Sequence, residues 1–347
     1  MSRLENLLGI DVPIVLGPFG GLSSVALTAA VSDGGGLGSF GLYGYTPDRI
    51  HDTVSQLRAA TPRPVAVNLW LPRGDEVRPE DIDVQPFVDA AAPLFAAAGV
   101  DAPTPPTAFL PPVADQLDAV FAARPDVLSV VFGIPDADTL IAAREHGIRV
   151  IGTATSVAEA VALEAAGVDA VVATGSEAGG HRVSFLREAS ASLVGTFALV
   201  PQVVDAVGVP VIAAGGIADR RGVAAALALG AEGVQVGTAF LRTRQSAATA
   251  AHRDAIGRAA DTDTVLTRAM SGRLARGIPN RAMHELEASG MIAPFPAQNW
   301  LTGVFRAAAT ARGDGELVSL WAGQAAALSR FDDAADVLAE LTAGLPV

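Results

Sequence analysis

A (β/α)8 barrel is the fold class this sequence predicts, on three observations. Short β-branched runs alternate with alanine-rich amphipathic stretches across residues 10–240. The runs are continuously apolar rather than alternating, which marks strands of a parallel sheet buried on both faces. They number eight, with helices between them, the arithmetic of a closed barrel. An open doubly wound sheet is the architectural alternative.

Taken in order, Val12-Pro13-Ile14-Val15-Leu16 reads as the first strand and residues 23–32 as a helix. A short glycine-rich strand over 36–40 follows, then a helix over 47–59 with Pro47 in its first turn, where a missing N–H costs nothing. Val65-Ala66-Val67-Asn68-Leu69 is the third strand. The rhythm then breaks. Many prolines over residues 71–125, among them Pro105-Pro106 and Pro111-Pro112, predict a long insertion with helices near 86–98 and 113–123.

The alternation resumes with a fourth strand over 127–132, a helix over 135–146 and a fifth strand over 149–151. Ser156 and Glu159 have the spacing of a capping box at the next helix start. Strands over 169–173, 209–214 and 233–237 complete the eight. Between the last two, Asp219 caps a helix that Gly230 stops. Residues 241–347 lose the alternation and read as helical, with Gly-Pro breaks around 271–296. The expected division is a barrel over 1–240, carrying the insertion at about 71–125, and a helical lid with a C-terminal helix over 241–347.

Composition bounds the function. With 50% apolar and 18% charged residues in 347, the chain can build a large core and is not disordered. It has no cysteine, which excludes disulfide scaffolds, thiolate nucleophiles and Cys-ligated metal. It has no lysine either, so all 24 basic residues are arginine, and Schiff-base enzymes and Walker-type loops are excluded. A net charge of −13 argues against nucleic-acid or anionic-membrane partners. No apolar run is long enough for a leader or a membrane span, so the expectation is a cytoplasmic protein acting on small molecules. No two of the five histidines have metal-ligand spacing, and no metal site is expected.

Three segments could carry chemistry. Gly36-Leu37-Gly38-Ser39-Phe40-Gly41 satisfies G-x-G-x-x-G, but a helix precedes it and none opens after it. It reads instead as a barrel strand against which a ligand ring can lie. Ala213-Ala214-Gly215-Gly216-Ile217-Ala218-Asp219 ends the seventh strand, and Gln235-Val236-Gly237-Thr238 ends the eighth in the same manner. Glycines and free amides there favour a phosphate, which explains how a lysine-free acidic protein could hold a phosphorylated cofactor. The plainer reading is that these glycines only ease strand-to-helix turns. The third segment, Thr174 to Arg182, follows the sixth strand. There His181 has the proton affinity of a general base, and Glu177 is either an acid–base group or a cap.

These motifs in this order, with Pro13-Ile14-Val15 to Gly38 before them and Trp321-Ala322-Gly323-Gln324 after them, resemble the nitronate monooxygenase family over roughly residues 5–245. The resemblance implies a TIM barrel that binds FMN noncovalently and oxidises alkyl nitronates with O2 to carbonyl compounds and nitrite. It implies that Asn68 hydrogen-bonds the flavin ring and that Gly179 permits close backbone approach. Gly216 with Gln235, Val236, Gly237 and Thr238 would hold the phosphate, and His181 would be the base. Thr174 stands where the family usually has glutamine, Phe19 where it has a methionine-like residue, and Val183 where a glycine follows His-Arg. Those departures lie where ring or substrate would sit. They suggest, as one alternative, an FMN-binding protein that has lost catalysis. A second, an NAD(P)H-dependent quinone or enoyl-thioester reductase, stays open because relatives with those activities resemble the same barrel.

Overall fold

The structure is a computed structural model that describes residues 2–346. Its strands in chain order are β1 Ile14–Leu16, β2 Gly38–Gly41, β3 Val65–Trp70, β4 Val127–Val131, β5 Arg149–Ala154, β6 Ala170–Thr174, β7 Gly180–His181, β8 Val211–Ala214, β9 Gly233–Val236, β10 Val265–Thr267 and β11 Ala275–Gly277. Eight of them form one parallel sheet in the order β1-β9-β8-β6-β5-β4-β3-β2. Its edges meet at Leu37, whose amide donates to the Ile14 carbonyl (2.9 Å) and whose carbonyl accepts from the Leu16 amide (2.9 Å). The result is the expected α/β barrel.

The period of two decides which residues face inward. Val15, Ala66, Val127, Ile151, Ala170, Val172 and Ile212 share an interior cluster, closed from below by Leu4 and Leu8 of the helix Arg3–Leu8. Their neighbours Ile14, Leu16, Val171, Val211, Val234 and Val236 point outward to the helices. Stepping two residues from Ala66 and Val172 brings Asn68 and Thr174 to the upper mouth of the interior, and stepping one from Val234 brings Gln235 there.

Several elements differ from expectation, each for a local reason. The insertion helix is split into Gln85–Ala90 and Ala92–Ala98, because Pro93 cannot donate the hydrogen bond that would continue it. A helix Thr196–Ala206, with Pro201 inside it, fills the gap left between β6 and β8. Residues 241–347 are not wholly helical: β10 and β11 pair antiparallel, and β11 pairs with β7 in the register Ala275↔His181. The 271–296 segment also holds a helix, Arg281–Ser289. Val88, Leu94 and Phe95 of the insertion share one cluster with Met270, Met283 and Phe305. Insertion and post-barrel segment therefore build a common cap. The helix Ala334–Thr342 buries Val337, Leu338 and Leu341 against the barrel's outer cluster. Among the described residues no helix is long and apolar enough to cross a membrane.

The G-x-G-x-x-G run is a barrel strand, as read, but none of its residues lines the cavity at the carboxyl ends of the strands. A Cβ on Gly38 would lie 2.1 Å from the Thr28 carbonyl oxygen, and one on Gly41 2.7 Å from the Phe19 carbonyl. Its glycines admit a helix and a loop.

Candidate active site

A cavity of about 420 Å3 lies at the carboxyl ends of the barrel strands, within the range of small-molecule sites. Asn68, Thr174, Gln235, Gly179, His181, Gly216, Gly237 and Thr238 all line it, as do Phe19 and Val183. Val236 does not. Its side chain is fully buried in the outer cluster and its carbonyl accepts from the Gly17 amide (2.8 Å). The strand alternation that turns Gln235 inward turns Val236 out.

Asn68 is oriented by its neighbour strand: Nδ2 donates to the Ser129 hydroxyl (2.7 Å) and carbonyl (3.1 Å). That leaves the carbonyl oxygen of its carboxamide for the cavity. The glycine pair after β8 has φ of +98° at Gly215 and +74° at Gly216, a left-handed turn closed to most side chains. No protein acceptor among the described residues pairs with the amides of Gly216, Ile217, Gly237 or Thr238. The start of the helix Arg220–Ala228, expected to offer free amides, is already taken by Asp219, whose carboxylate accepts from Arg221 (3.0 Å) and Gly222 (3.4 Å). The open donors are in the turns, not on that helix.

Gly179 is a glycine for a reason the sequence did not show. A Cβ there would lie 2.6 Å from the Ala322 carbonyl carbon and the Gly323 amide. Gln324 donates its amide to the Glu177 carbonyl (2.9 Å), and Gly323 donates to the Thr238 hydroxyl (2.9 Å). The Trp321–Gln324 turn thereby locks the β6 loop to the β9 end. Glu177 is a cap: its carboxylate accepts from the Thr196 amide (2.9 Å) and hydroxyl (3.1 Å) at the start of a helix.

Two buried charges hold that loop from beneath. Arg182 donates to the carbonyls of Thr155 (3.0 Å), Thr174 (2.5 Å) and Ser192 (3.0 Å from Nε, 2.5 Å from Nη2). Glu159 is fully buried and accepts from Thr155 N (2.7 Å), Thr155 Oγ1 (2.6 Å), Phe185 N (2.6 Å) and Leu186 N (3.1 Å). It does not return to Ser156, so the capping box is only half formed; the side chain serves the loop instead.

His181 sits on β7, half-buried in an aromatic cage. Its ring centroid is 4.8 Å from Trp70, 5.4 Å from Trp321 and 6.4 Å from Phe132. Nε2 is 2.8 Å from the Ser271 hydroxyl, which itself donates to the Arg273 carbonyl (3.2 Å). With the Arg273 carbonyl there to accept the hydroxyl proton, the tautomer that satisfies both groups has the N–H on Nε2, which leaves Nδ1 a lone pair with no protein partner among the described residues. Burial, then the charges of Arg273 and Arg306, push the imidazole down to about 3, so it is neutral through the physiological range.

Sequence reading missed the cap's contribution. Ser271 and Arg273 precede β11. Arg273 lies over the rings of Phe132 (4.5 Å) and Phe295 (4.0 Å) and pairs with Asp75 and Glu76 of the insertion, each at 2.5 Å. Asn299 and Arg306 line the cavity from the helix Ala297–Arg312. The one local signal was the polar set Asn299, Thr302 and Arg306 at i, i+3 and i+7 on an otherwise apolar helix face.

Comparison with known proteins extends the likeness past the barrel. The chain matches the nitronate monooxygenase family over residues 1–344. Proteins named probable nitronate monooxygenase from Staphylococcus aureus strains MRSA252 and JH9 are 40% identical over 343 residues, 98% of this chain and 96% of theirs. A nitroalkane oxidase structure from Streptomyces ansochromogenes superposes with a TM-score of 0.88 at 34% identity, covering 99% of this chain and 97% of that one. FabK from Thermotoga maritima superposes with a TM-score of 0.76 at 32% identity, covering 98% and 94%. With barrel, loop and cap all included in these matches, the chain belongs to the nitronate monooxygenase family of oxidoreductases.

Proposed function

We propose that the protein binds FMN noncovalently and oxidises alkyl nitronates with O2, releasing a carbonyl compound and nitrite. The observation that carries the reading is one cavity with two unlike ends. Unpaired amides at the ends of β8 and β9 meet the need of a phosphate, and a neutral histidine stands in an aromatic cage. The family is flavin-dependent in general. The residues fit FMN. The amides of Gly216, Ile217, Gly237 and Thr238 would hold its phosphate without a lysine, while Asn68, Thr174 and Gln235, which line the same cavity, would offer polar groups to its ring system.

Bound FMN supplies the electron acceptance and the route to O2. The chain supplies the rest. Trp70, Phe132 and Trp321 keep the histidine end dry, which strengthens every polar contact made there. Ser271 holds the His181 ring through Nε2, which leaves Nδ1 as the ring nitrogen free to act on a substrate. Towards a neutral nitroalkane that lone pair is the acceptor for the acidic C–H proton, and the nitronate charge formed beside it is what raises the ring's proton affinity from about 3. A nitronate arrives without it and needs only support for its charge. Purified, flavin-loaded protein incubated aerobically with a panel of nitronates should release nitrite; its absence across the panel removes the reading.

A second reading is the NAD(P)H-dependent quinone or enoyl-thioester reductase that the resemblance leaves open on the same barrel, favoured by the likeness to FabK, of a related flavin-enzyme branch, at 32% identity over 98% of this chain. Rapid anaerobic bleaching of the flavin by NADH or NADPH, without nitrite release from nitronates, selects it.

A further inference from the structure

Arg306 is an unusual group to find in this cavity. Its head group is partly buried at the cavity wall, and burial depresses its proton affinity to about 10. Arg273, the other cation near His181, is neutralised by Asp75 and Glu76. Arg306 pairs with no carboxylate among the described residues. Its partners are all neutral: Thr302 Oγ1 (3.1 Å), Ser319 Oγ (3.4 Å), and the backbone and side-chain oxygens of Asn299 (3.0 and 2.7 Å). A guanidinium has five N–H groups. Nε spends one on Thr302 and Nη2 spends two on Asn299. Nη1 makes one long bond to Ser319 and keeps its other N–H.

The head group is therefore held from three sides in a fixed orientation, with Nη1 left over and its charge unmatched. Asn299 extends the same arrangement by donating Nδ2 to the Tyr43 hydroxyl (3.1 Å), and the Tyr43 ring lies 4.3 Å from Trp70 of the histidine cage at a tilt of 42°. Arg306, Asn299, Tyr43, Trp70 and His181 all line one cavity. Glu177, the acidic residue of that lining, is committed to Thr196. A half-buried cation that finds no carboxylate in its own protein is the natural partner of an anionic ligand entering the cavity.

The geometry points to Arg306 as the residue that selects the anionic form of the substrate, its Nη1 donating to an oxygen of a planar O–N–O group held beside His181. This rests on the nitronate reading and deepens it. Charge, not carbon skeleton, is the first thing the site recognises. Neutral nitroalkanes then bind weakly, because they leave the guanidinium unmatched.

The test uses the flavin-loaded enzyme and sodium nitrate, a planar oxyanion that cannot be oxidised. In the wild type nitrate binds, measured by titration calorimetry, and competes with the nitronate. Arg306→Met raises the nitrate Kd and the nitronate KM together, roughly 10- to 100-fold, the range of one charge-assisted hydrogen bond. Flavin content stays unchanged, and Arg306→Lys recovers part of the loss. Equal nitrate affinity in wild type and Arg306→Met overturns the proposal. So does loss of flavin from a folded Arg306→Met with KM unaltered, which would assign the guanidinium to the cofactor. Should Arg306→Met fail to fold, nitrate competition in the wild type still decides: no competition overturns the assignment. Arg306-dependent nitrate binding in an enzyme that releases no nitrite from any nitronate supports the anion site and removes the nitronate reading.

Discussion

His181 and Ser271 meet at 2.8 Å across 90 residues of sequence, and this contact joins the barrel's sixth loop to the post-barrel cap. It fixes which imidazole nitrogen carries the proton. With its hydrogen directed to the Arg273 carbonyl (3.2 Å), the hydroxyl is an acceptor for Nε2–H. Ser271→Ala removes that acceptor and frees the ring. A lost neutral hydrogen bond is worth about 0.5–1.5 kcal/mol, so kcat/KM for a neutral nitroalkane should fall about 2- to 10-fold. A nitronate, which needs no proton removed, should show a smaller loss. Equal losses for both forms would mean that Ser271 does not act through the base.

The low proton affinity of His181 has two consequences for pH. Because the ring stays neutral down to about pH 3, kcat/KM for a nitroalkane should show no inflection near 6.5, the ordinary histidine value. A clear inflection there would show that the ring titrates as an exposed imidazole.

Stability should respond where activity does not. His181 and His252 are held neutral in the fold, at about 3 and about 4, with burial the first cause in both. The unfolded chain therefore binds more protons between those values and about 6.5. Each histidine's stabilisation is present above about 6.5 and is lost as pH falls through that window, by no more than about 1.4 kcal/mol per pH unit per group. His252→Asn should flatten the decline of Tm between pH 6.5 and 5, where carboxylates contribute little. An unchanged slope would remove His252 from the account.

Arg182 is structural although it adjoins His181. Arg182→Met would leave the carbonyls of Thr155, Thr174 and Ser192 without their shared donor. The expected destabilisation is about 3 kcal/mol or more, seen as a lower denaturation midpoint. A variant of wild-type stability would contradict this role.

Gly216→Asp should weaken flavin binding by at least about 1 kcal/mol, the repulsion of two charges near 4 Å even in water. Gly216→Ala separates charge from backbone strain, since the φ of +74° burdens any side chain. The released flavin, measured by fluorescence, should rise in the order wild type, Ala, Asp. Equal retention in all three would take Gly216 out of the site.

The barrel was legible because its strands are continuous apolar runs separated by recognisable caps, such as Asp219 and Gly230. Asn68, Thr174 and Gln235 lie near the carboxyl ends of such runs, and the resemblance to a family, not the period, singled them out. Val236 was misplaced because the two-residue alternation was not carried through to the last strand. The antiparallel sheet of β7, β10 and β11 gave no signal: strands of two or three residues contain no period to read. Ser271, Arg273 and Arg306 reach the cavity only through that sheet and the cap, and such long-range packing leaves no local spacing. Gly179 was recognised as special, yet the object it approaches, Ala322, lies on a turn that sequence could not place.

The most direct measurement is aerobic nitrite release from alkyl nitronates by the purified, flavin-loaded protein, with the flavin identified after denaturation. The account predicts one nitrite per nitronate consumed and FMN as the released flavin, with His181→Asn and Arg306→Met each lowering kcat/KM while retaining FMN. No nitrite from any nitronate, or FAD in place of FMN, would contradict it.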